Sequence, residues 1–303
     1  MMNPIALAVS FAIFALFVCV WGSTLYATVR KRGGFWTYLP VRIFALLTLL
    51  ASVFAVLYGF FIEPYSLTVT DTGIKMEIKR PLVIVHLSDI HYEGARKTLE
   101  RLAKVIETTK PDVVCITGDY FNREGDTEIA DMRNFIERIS KFCGAVLSVS
   151  GNWDNPLTME KLFENSPSNV YHETFVYETE EFAFVLLPFG LERFLGDFAV
   201  KTSERKKKIL VTHTPDLIEA CSNSGLFCLY LCGHTHGGQV RLPLIGPLLL
   251  PTKACWRYQS GFYTTENGMY VYINRGVGMT SVAPRMRFFC PPEIAIIRLF
   301  PIK

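Results

Sequence analysis

Leu82-Val83-Ile84-Val85-His86-Leu87-Ser88-Asp89-Ile90-His91 decides how this chain folds. The stretch is apolar apart from His86 until Ser88, then ends on a carboxylate and an imidazole two positions apart. A short continuous apolar run bounded by polar residues reads as a strand buried on both faces. Downstream, Leu99, Leu102, Val105 and Ile106 recur at helical spacing, and Lys110-Pro111 closes that helix. Val113–Ile116 is the next strand, ending at Gly118-Asp119. Ile129, Met132, Phe135, Ile136 and Ile139 form a second helical stripe, and Ala145–Val149 is a strand ending at Gly151-Asn152. Alternation of this kind predicts an α/β fold, a layered sheet with helices outside it. Upstream, Pro64–Arg80 reads as a leading strand pair. The second half is richer in strands, over Phe182–Leu187, Lys208–Thr212, Phe227–Leu231, Met269–Ile273 and Ile294–Leu299. A short helix, Pro215–Cys221, follows His213.

Each strand end carries a side chain that can hold a cation. Asp89 and His91 are followed in order by Asp119, Asn152, His213, and the pair His234 and His236 in Gly233-His234-Thr235-His236. Residues i and i+2 of a strand point the same way, so each pair is expected to reach one ion. Carboxylate, imidazole and amide oxygen together suit two divalent ions side by side. Open α/β sheets place their sites just beyond the carboxyl ends of the strands. A lone His-x-His is more often a packed or surface pair, and a lone Gly-Asp is most often a turn. The signal is the joint order, with five of the six histidines at or beside a motif.

The order D-x-H, GD, GN-x-D, H, GH-x-H resembles the calcineurin-like metallophosphoesterase family over about residues 80–300. The tail Asn274-Arg275-Gly276-Val277-Gly278, with Arg285, Arg287 and Pro292-Glu293-Ile294, resembles its membrane-associated bacterial branch. The resemblance implies a four-layer α/β/β/α sandwich of two mixed sheets. It implies Asp89, His91 and His236 on a first divalent ion and Asn152, His213 and His234 on a second, with Asp119 bridging. Manganese is the expected metal, with iron or zinc as alternatives. The implied chemistry is in-line attack on phosphorus by hydroxide held between the ions, with Asp119, Asn152 and His234 as the catalytic group.

One position departs from the family. The third motif usually reads GNH, and its histidine assists the leaving group; here it is Gly151-Asn152-Trp153-Asp154. An indole donates a hydrogen bond but is no proton source at neutral pH. An alkoxide needs that proton, whereas a phosphate leaving an anhydride does not, so Trp153 points to a pyrophosphate substrate. Alternatively Trp153 packs over the site, and His86 or a water moves the proton. Asp154 is expected to hold His213 or the local turn. His86, mid-strand, reads first as a satisfied core histidine, and His172 as a surface residue. Asn122, Trp153, Arg275, Arg285 and Arg287 are candidate substrate contacts, with Arg241 beside them, because guanidinium pairs bidentately with phosphate. The Gly276–Gly278 turn reads as a backbone requirement.

Half of the 303 residues are hydrophobic, and the excess lies at the N-terminus. Residues 1–62 hold Arg30, Lys31, Arg32 and Arg42 but no acid; the rest carries 27 of the 31 basic residues against 28 acidic ones. The remainder is neutral overall, which gives no argument for nucleic acid. Pro4–Val29 and Ile43–Ile62 are uncharged and long enough to span a bilayer as helices. Basic and aromatic residues separate them, an interfacial mixture. Residues 1–63 therefore read as a transmembrane helical hairpin with a basic loop at 30–42, and residues 64–303 as the catalytic domain. A cleaved signal peptide would carry positive charge before its apolar core, and none is there. The basic loop favours a catalytic domain outside the membrane. Cysteines without a CxxC pair favour a reducing compartment, hence the cytoplasmic face of the inner membrane.

With its apolar N-terminus and Trp153, the chain resembles the family's hydrolases of UDP-2,3-diacylglucosamine in lipid A synthesis. The function this resemblance implies is cleavage of the pyrophosphate of that lipid-linked nucleotide to UMP and an acylated sugar 1-phosphate. The insertion Leu191–Phe198, with Phe194 and Phe198, and the apolar Leu242–Leu250 are the segments available for acyl chains, for core, or for the membrane surface. The alternatives are a general phosphodiesterase or phosphatase facing outside, and a non-enzymatic, membrane-tethered metal-binding scaffold.

Overall fold

The structure, a computed structural model, describes residues 21–22, 39–166, 169–171, 173–191, 205–247, 249–252, 256–280 and 285–302. All but two residues of the first apolar run, most of the basic loop, His172 and nearly all of the 191–198 insertion lie outside the described residues. From Leu39 the chain forms an apolar helix, α1 (Leu39–Phe61), and a 3-10 turn at Glu63–Tyr65. Then come β1 (Thr68–Met76), β2 (Leu82–Leu87), α2 (Arg96–Thr109), β3 (Val113–Thr117), α3 (Asp126–Ser140), β4 (Ala145–Val149), α4 (Pro156–Phe163) and β5 (Asn169–Tyr171). The second half holds β6 (Phe175–Glu178), β7 (Phe182–Leu187), β8 (Lys207–Thr212), α5 (Ile218–Ser224) and β9 (Phe227–Cys232). A small hairpin, β10 (Arg241–Leu242) with β11 (Gly246–Pro247), precedes β12 (Gly261–Thr264), β13 (Tyr270–Ile273) and β14 (Glu293–Pro301).

Two six-stranded mixed sheets result, in the orders β1-β14-β2-β3-β4-β5 and β12-β13-β9-β8-β7-β6. In the first, β2, β3, β4 and β5 run parallel and β14 is antiparallel to β2. In the second, β7, β8, β9 and β13 run parallel between antiparallel edge strands. Alternate residues of the central strands face opposite ways. One set, with Ile84, Cys115 and Leu147 from the first sheet and Phe184, Val211 and Leu231 from the second, fills the space between the sheets. The other set of the first sheet, including Val85, Val114 and Val146, packs beneath α2, α3 and α4 through Leu102, Met132 and Leu162. The outer set of the second sheet packs with α5 through Ile218 and Cys221. Each fully buried Leu, Ile or Val contributes about 1.5–3 kcal/mol, so a charge at Leu147 or Leu231 would split the sheets.

The continuous apolar runs became the central strands because both faces of those strands are covered. The leading strand pair is a correction. Only Thr68–Met76 is a strand, and it pairs in parallel with the C-terminal strand β14. The chain then turns, and the backbone N–H groups of Lys79 and Arg80 donate to the Glu181 carboxylate at 2.7 and 3.1 Å. The six described cysteines, among them Cys115, Cys232 and Cys290, are free thiols.

Candidate metal centre

All of the expected donor residues sit on loops that leave the carboxyl ends of β2, β3, β4, β8 and β9. Those edges belong to both sheets, so the sandwich brings the two halves of the donor set face to face. The expected strand geometry at Asp89-Ile90-His91 and His234-Thr235-His236 is corrected. Asp89, His91, Asp119, His234 and His236 all take left-handed backbone conformations, with φ between 44° and 66°. Such values are uncommon for residues with a Cβ and cluster at functional sites. Asp89 and His91 converge because their loop coils, and the strand period plays no part. His234 and His236 part company, His236 joining Asp89 and His91 and His234 joining His213, so the expectation that this pair reaches one ion is corrected.

The donors form two groups sharing one carboxylate. In the first, ligand atoms of Asp89, His91, Asp119 and His236 all lie within 4.8 Å of one another. His91 Nε2 is 3.2 Å from His236 Nε2 and 3.6 Å from Asp119 Oδ2, and His236 Nε2 is 3.3 Å from Asp89 Oδ1. In the second, Asp119, His213 and His234 converge. His213 Nε2 is 3.4 Å from Asp119 Oδ2, 3.1 Å from His234 Nδ1 and 2.8 Å from Asn152 Oδ1.

These separations fit cations. Ligand atoms held about 2.0–2.2 Å from a divalent ion lie roughly 3–3.5 Å from each other. The Asp89 Oδ1 atom is buried with no hydrogen-bond partner. Such a buried orphan is costly unless something satisfies it. Burial lowers the His91 and His234 imidazoles to about 4 and holds His236 well below its ordinary value, so all three are neutral at pH 7 with a lone pair to give. Burial raises the Asp89 carboxyl to about 7, against the pull of His213. At Asp119 burial pushes upward too, but His213 and His91 overcome it and hold the carboxyl below its ordinary value. Burial alone would lower His213; the Asp119 carboxylate beside it raises it instead, to about 9. His213 must therefore release a proton to ligate.

The loops approach so closely that side chains would not fit between them. A Cβ on Gly151 would lie 2.2 Å from Asp119 Oδ1, and one on Gly118 would lie 2.4 Å from the Gly151 nitrogen. Asp154 ties that crossing together: its carboxylate accepts from the backbone N–H of Asp119, Tyr120 and Gly151 at 2.7–2.8 Å. It holds the turn, one of its two expected roles. His213 is oriented instead by the Thr117 carbonyl at 2.7 Å from Nδ1, and His234 Nε2 meets the Pro251 carbonyl. Trp153 donates its backbone N–H to Asp119 Oδ1 at 2.9 Å, and its half-exposed ring lies edge-on to His91, 6.4 Å between centroids. Asn122 donates to the Met279 carbonyl at 2.8 Å.

The arginines expected to meet phosphate have other partners. Arg287 is fully buried. Its guanidinium donates to the carbonyls of Arg275, Gly276, Gly278 and Cys290. That fan of bonds shapes the Gly276–Gly278 turn, which packs against Asp89 and His91: Gly278 N–H donates to the Asp89 carbonyl at 2.8 Å. Asn274 fixes the turn's other end, donating to the His86 carbonyl and accepting from Gly276 N–H, both at 2.8 Å. Arg275 pairs with the buried Glu293 at 3.0 Å and reaches Thr68. Arg285 pairs with Glu93 at 2.6 Å, and Arg241 donates to Gly237 and Gln259. His86 is buried, with Nε2 2.9 Å from Thr117 Oγ1. Glu63 went unnoticed in the sequence. It is buried at the end of α1 and accepts from the backbone N–H of Phe289 and Cys290 at 2.9 and 2.5 Å.

The model of the calcineurin-like phosphoesterase family matches residues 82–238. The chain is 29% identical over 267 residues to the uncharacterized metallophosphoesterase YkuE of Bacillus subtilis, covering 80% of this chain and 88% of that protein. It is 26% identical to phosphodiesterase YaeI of Escherichia coli, over 72% of this chain and 82% of that one. It is 24% identical to the UDP-2,3-diacylglucosamine pyrophosphatase LpxG of Chlamydia muridarum, over 72% of this chain and 83% of that protein.

Proposed function

This chain belongs to the calcineurin-like phosphoesterase family, a metal-dependent class of phosphoester hydrolases, and from that premise we propose that it is a membrane-anchored pyrophosphatase acting on a lipid-linked nucleotide. The substrate is UDP-2,3-diacylglucosamine, released as UMP and the acylated sugar 1-phosphate. The observation that carries the hydrolytic reading is the pair of donor groups joined through Asp119. Asp89, His91 and His236 would hold one divalent ion, Asn152, His213 and His234 would hold the other, and Asp119 would serve both. Paired ions supply a clamp on phosphoryl oxygens and water activated at neutral pH. The chain's own groups do the rest. Asp154 and the Trp153 N–H hold the Asp119 loop and carboxylate in place. The Thr117 and Pro251 carbonyls aim His213 and His234. Trp153 offers no proton to a leaving group, which suits an anhydride, and the resemblance to LpxG supports the same substrate.

α1 supports the anchor. It is 23 residues long, and its span has a mean hydropathy of 2.4 with most of its apolar side chains exposed. With the first apolar run it would make a helical hairpin over residues 1–63, leaving 64–303 as the catalytic domain on the cytoplasmic face of the inner membrane. A second reading, a general phosphodiesterase facing outside, draws on the resemblance to YaeI.

Purified full-length protein with Mn2+ is offered UDP-2,3-diacylglucosamine and, separately, bis(p-nitrophenyl) phosphate. Release of UMP from the first supports the proposal. Turnover of the diester alone overturns the pyrophosphatase reading in favour of the second, and a C-terminal topology reporter then gives the side.

A further inference from the structure

No charged residue lies between Arg241 and Lys253: the segment reads Leu242-Pro243-Leu244-Ile245-Gly246-Pro247-Leu248-Leu249-Leu250-Pro251-Thr252. Turns on water-facing surfaces favour Gly, Pro, Asn, Asp and Ser. This one has leucine at its tip. Leu244 is fully exposed with φ 68°, and Leu249 is more than half exposed. The core does not claim them, so of the three uses open to this segment in the sequence, packing inside the protein is excluded for its tip.

The hairpin is linked to the foot of α1 through the segment Arg287–Phe288. Arg241 N–H donates to the Phe288 carbonyl and Phe288 N–H to the Gln239 carbonyl, both at 2.9 Å. One residue earlier, Arg287 N–H donates to the Gly59 carbonyl of α1 at 3.0 Å. Tyr58 of α1 packs edge-on against Phe288, 6.4 Å between ring centroids. Glu63 clamps the next two backbone N–H groups, and Phe289 between them is exposed. The exposed apolar end of the helix, Phe289 and the hairpin are thus joined by one hydrogen-bonded strip. The same hairpin abuts the donor loops. A Cβ on Gly238, two residues after His236, would lie 2.2 Å from Pro247 Cβ, and the Pro251 carbonyl meets His234.

We infer that the tip of the β10–β11 hairpin at Leu244, with the exposed Leu249 that follows it, is a second membrane contact, inserted in the bilayer interface beside α1, and that it brings the metal centre to the lipid surface. The occupant is lipid because the hairpin continues the exposed apolar surface of a helix long enough to cross a bilayer. The inference rests on the anchored reading and names its substrate class, an amphiphile whose apolar part stays in the membrane while its phosphate reaches Asp119.

The test uses the full chain in lipid nanodiscs. Leu244→Trp is compared with the unsubstituted chain, whose four tryptophans set the background. With brominated phosphatidylcholine the added tryptophan should be blue-shifted and quenched. Emission that is red and unquenched places the tip in water; emission that is blue and unquenched places it against protein. Either overturns the inference. In the second arm Leu244→Asp with Leu249→Asp should cut turnover of substrate embedded in the bilayer about tenfold or more. Turnover of bis(p-nitrophenyl) phosphate in water should stay the same. Equal losses on both substrates, in a protein of unchanged circular dichroism, also overturn it. Quenching in a protein that hydrolyses neither substrate leaves the hairpin in the membrane and sinks the enzymatic reading instead.

Discussion

The two donor groups differ in what holds their imidazoles. His213 and His234 each turn their other ring nitrogen to a backbone carbonyl, of Thr117 and Pro251. The buried Nδ1 atoms of His91 and His236 meet no backbone carbonyl; the His91 ring has the Asn122 side chain as a polar neighbour. Those two rings stack on each other, 5.0 Å between centroids, beneath the turn that Arg287 shapes. A hydrogen bond to the far nitrogen fixes tautomer and ring orientation. The second group is thus fixed by polar contacts and the first by packing against a turn shaped by one buried cation. Damage to the turn should loosen one ion, while loss of the shared carboxylate should loosen both.

Asp119→Ala gives the largest effect. It should lower turnover by about a thousandfold or more, the scale for losing a member of a catalytic unit. Metal content per folded chain should drop at the same time, measured by atomic emission. A variant with full metal and full turnover removes Asp119 from the shared position. Next comes Arg287→Met, which strands four carbonyl oxygens around an apolar chain. One ion should weaken by about 10–100-fold in a chelator competition while the other holds its affinity. Arg287→Lys should restore little, because an ammonium lacks the planar fork. Equal weakening of both ions would erase the distinction between the groups.

A smaller change follows from Trp153→His. The ratio of diester to pyrophosphate turnover should rise about tenfold, below the 10²–10⁴ that a well-placed general acid reaches. An unchanged ratio would detach the leaving-group argument from this position. The smallest effect concerns His86, which burial lowers from 6.5 to about 3. The unfolded chain binds that proton more readily, so His86 contributes stability above pH 6.5 that is lost as pH falls towards 3. His86→Phe should flatten this part of the acid limb in urea titrations at successive pH values; an unaltered slope would mean that His86 does not contribute to it.

β2, β4 and β7 were legible to the residue, because continuous apolar runs are the mark of strands covered on both faces. α4, β5, β6 and β12 were not read, being short and without a clear period. The pairing of β1 with β14 joins the two ends of the catalytic domain and has no local mark. The donor residues were legible because side-chain type and order survive in the primary structure. Their supports were less so. Thr117 and Pro251 act through backbone carbonyls, which every residue has. Arg287 read as a phosphate contact because nothing in the sequence says whether a guanidinium will meet substrate or its own chain. Glu63 lies 226 residues from the N–H of Phe289 that it holds.

By itself the sequence determined which groups could hold cations, where the buried strands run, and that a long apolar helix precedes them, since residue type and period are local properties. The tertiary structure decided how those groups face each other: the left-handed loops that turn Asp89 and His91 inward, and the assignment of each arginine. It decided too that an apolar hairpin lies at the surface, because backbone angles and partners depend on contacts between segments far apart in the chain.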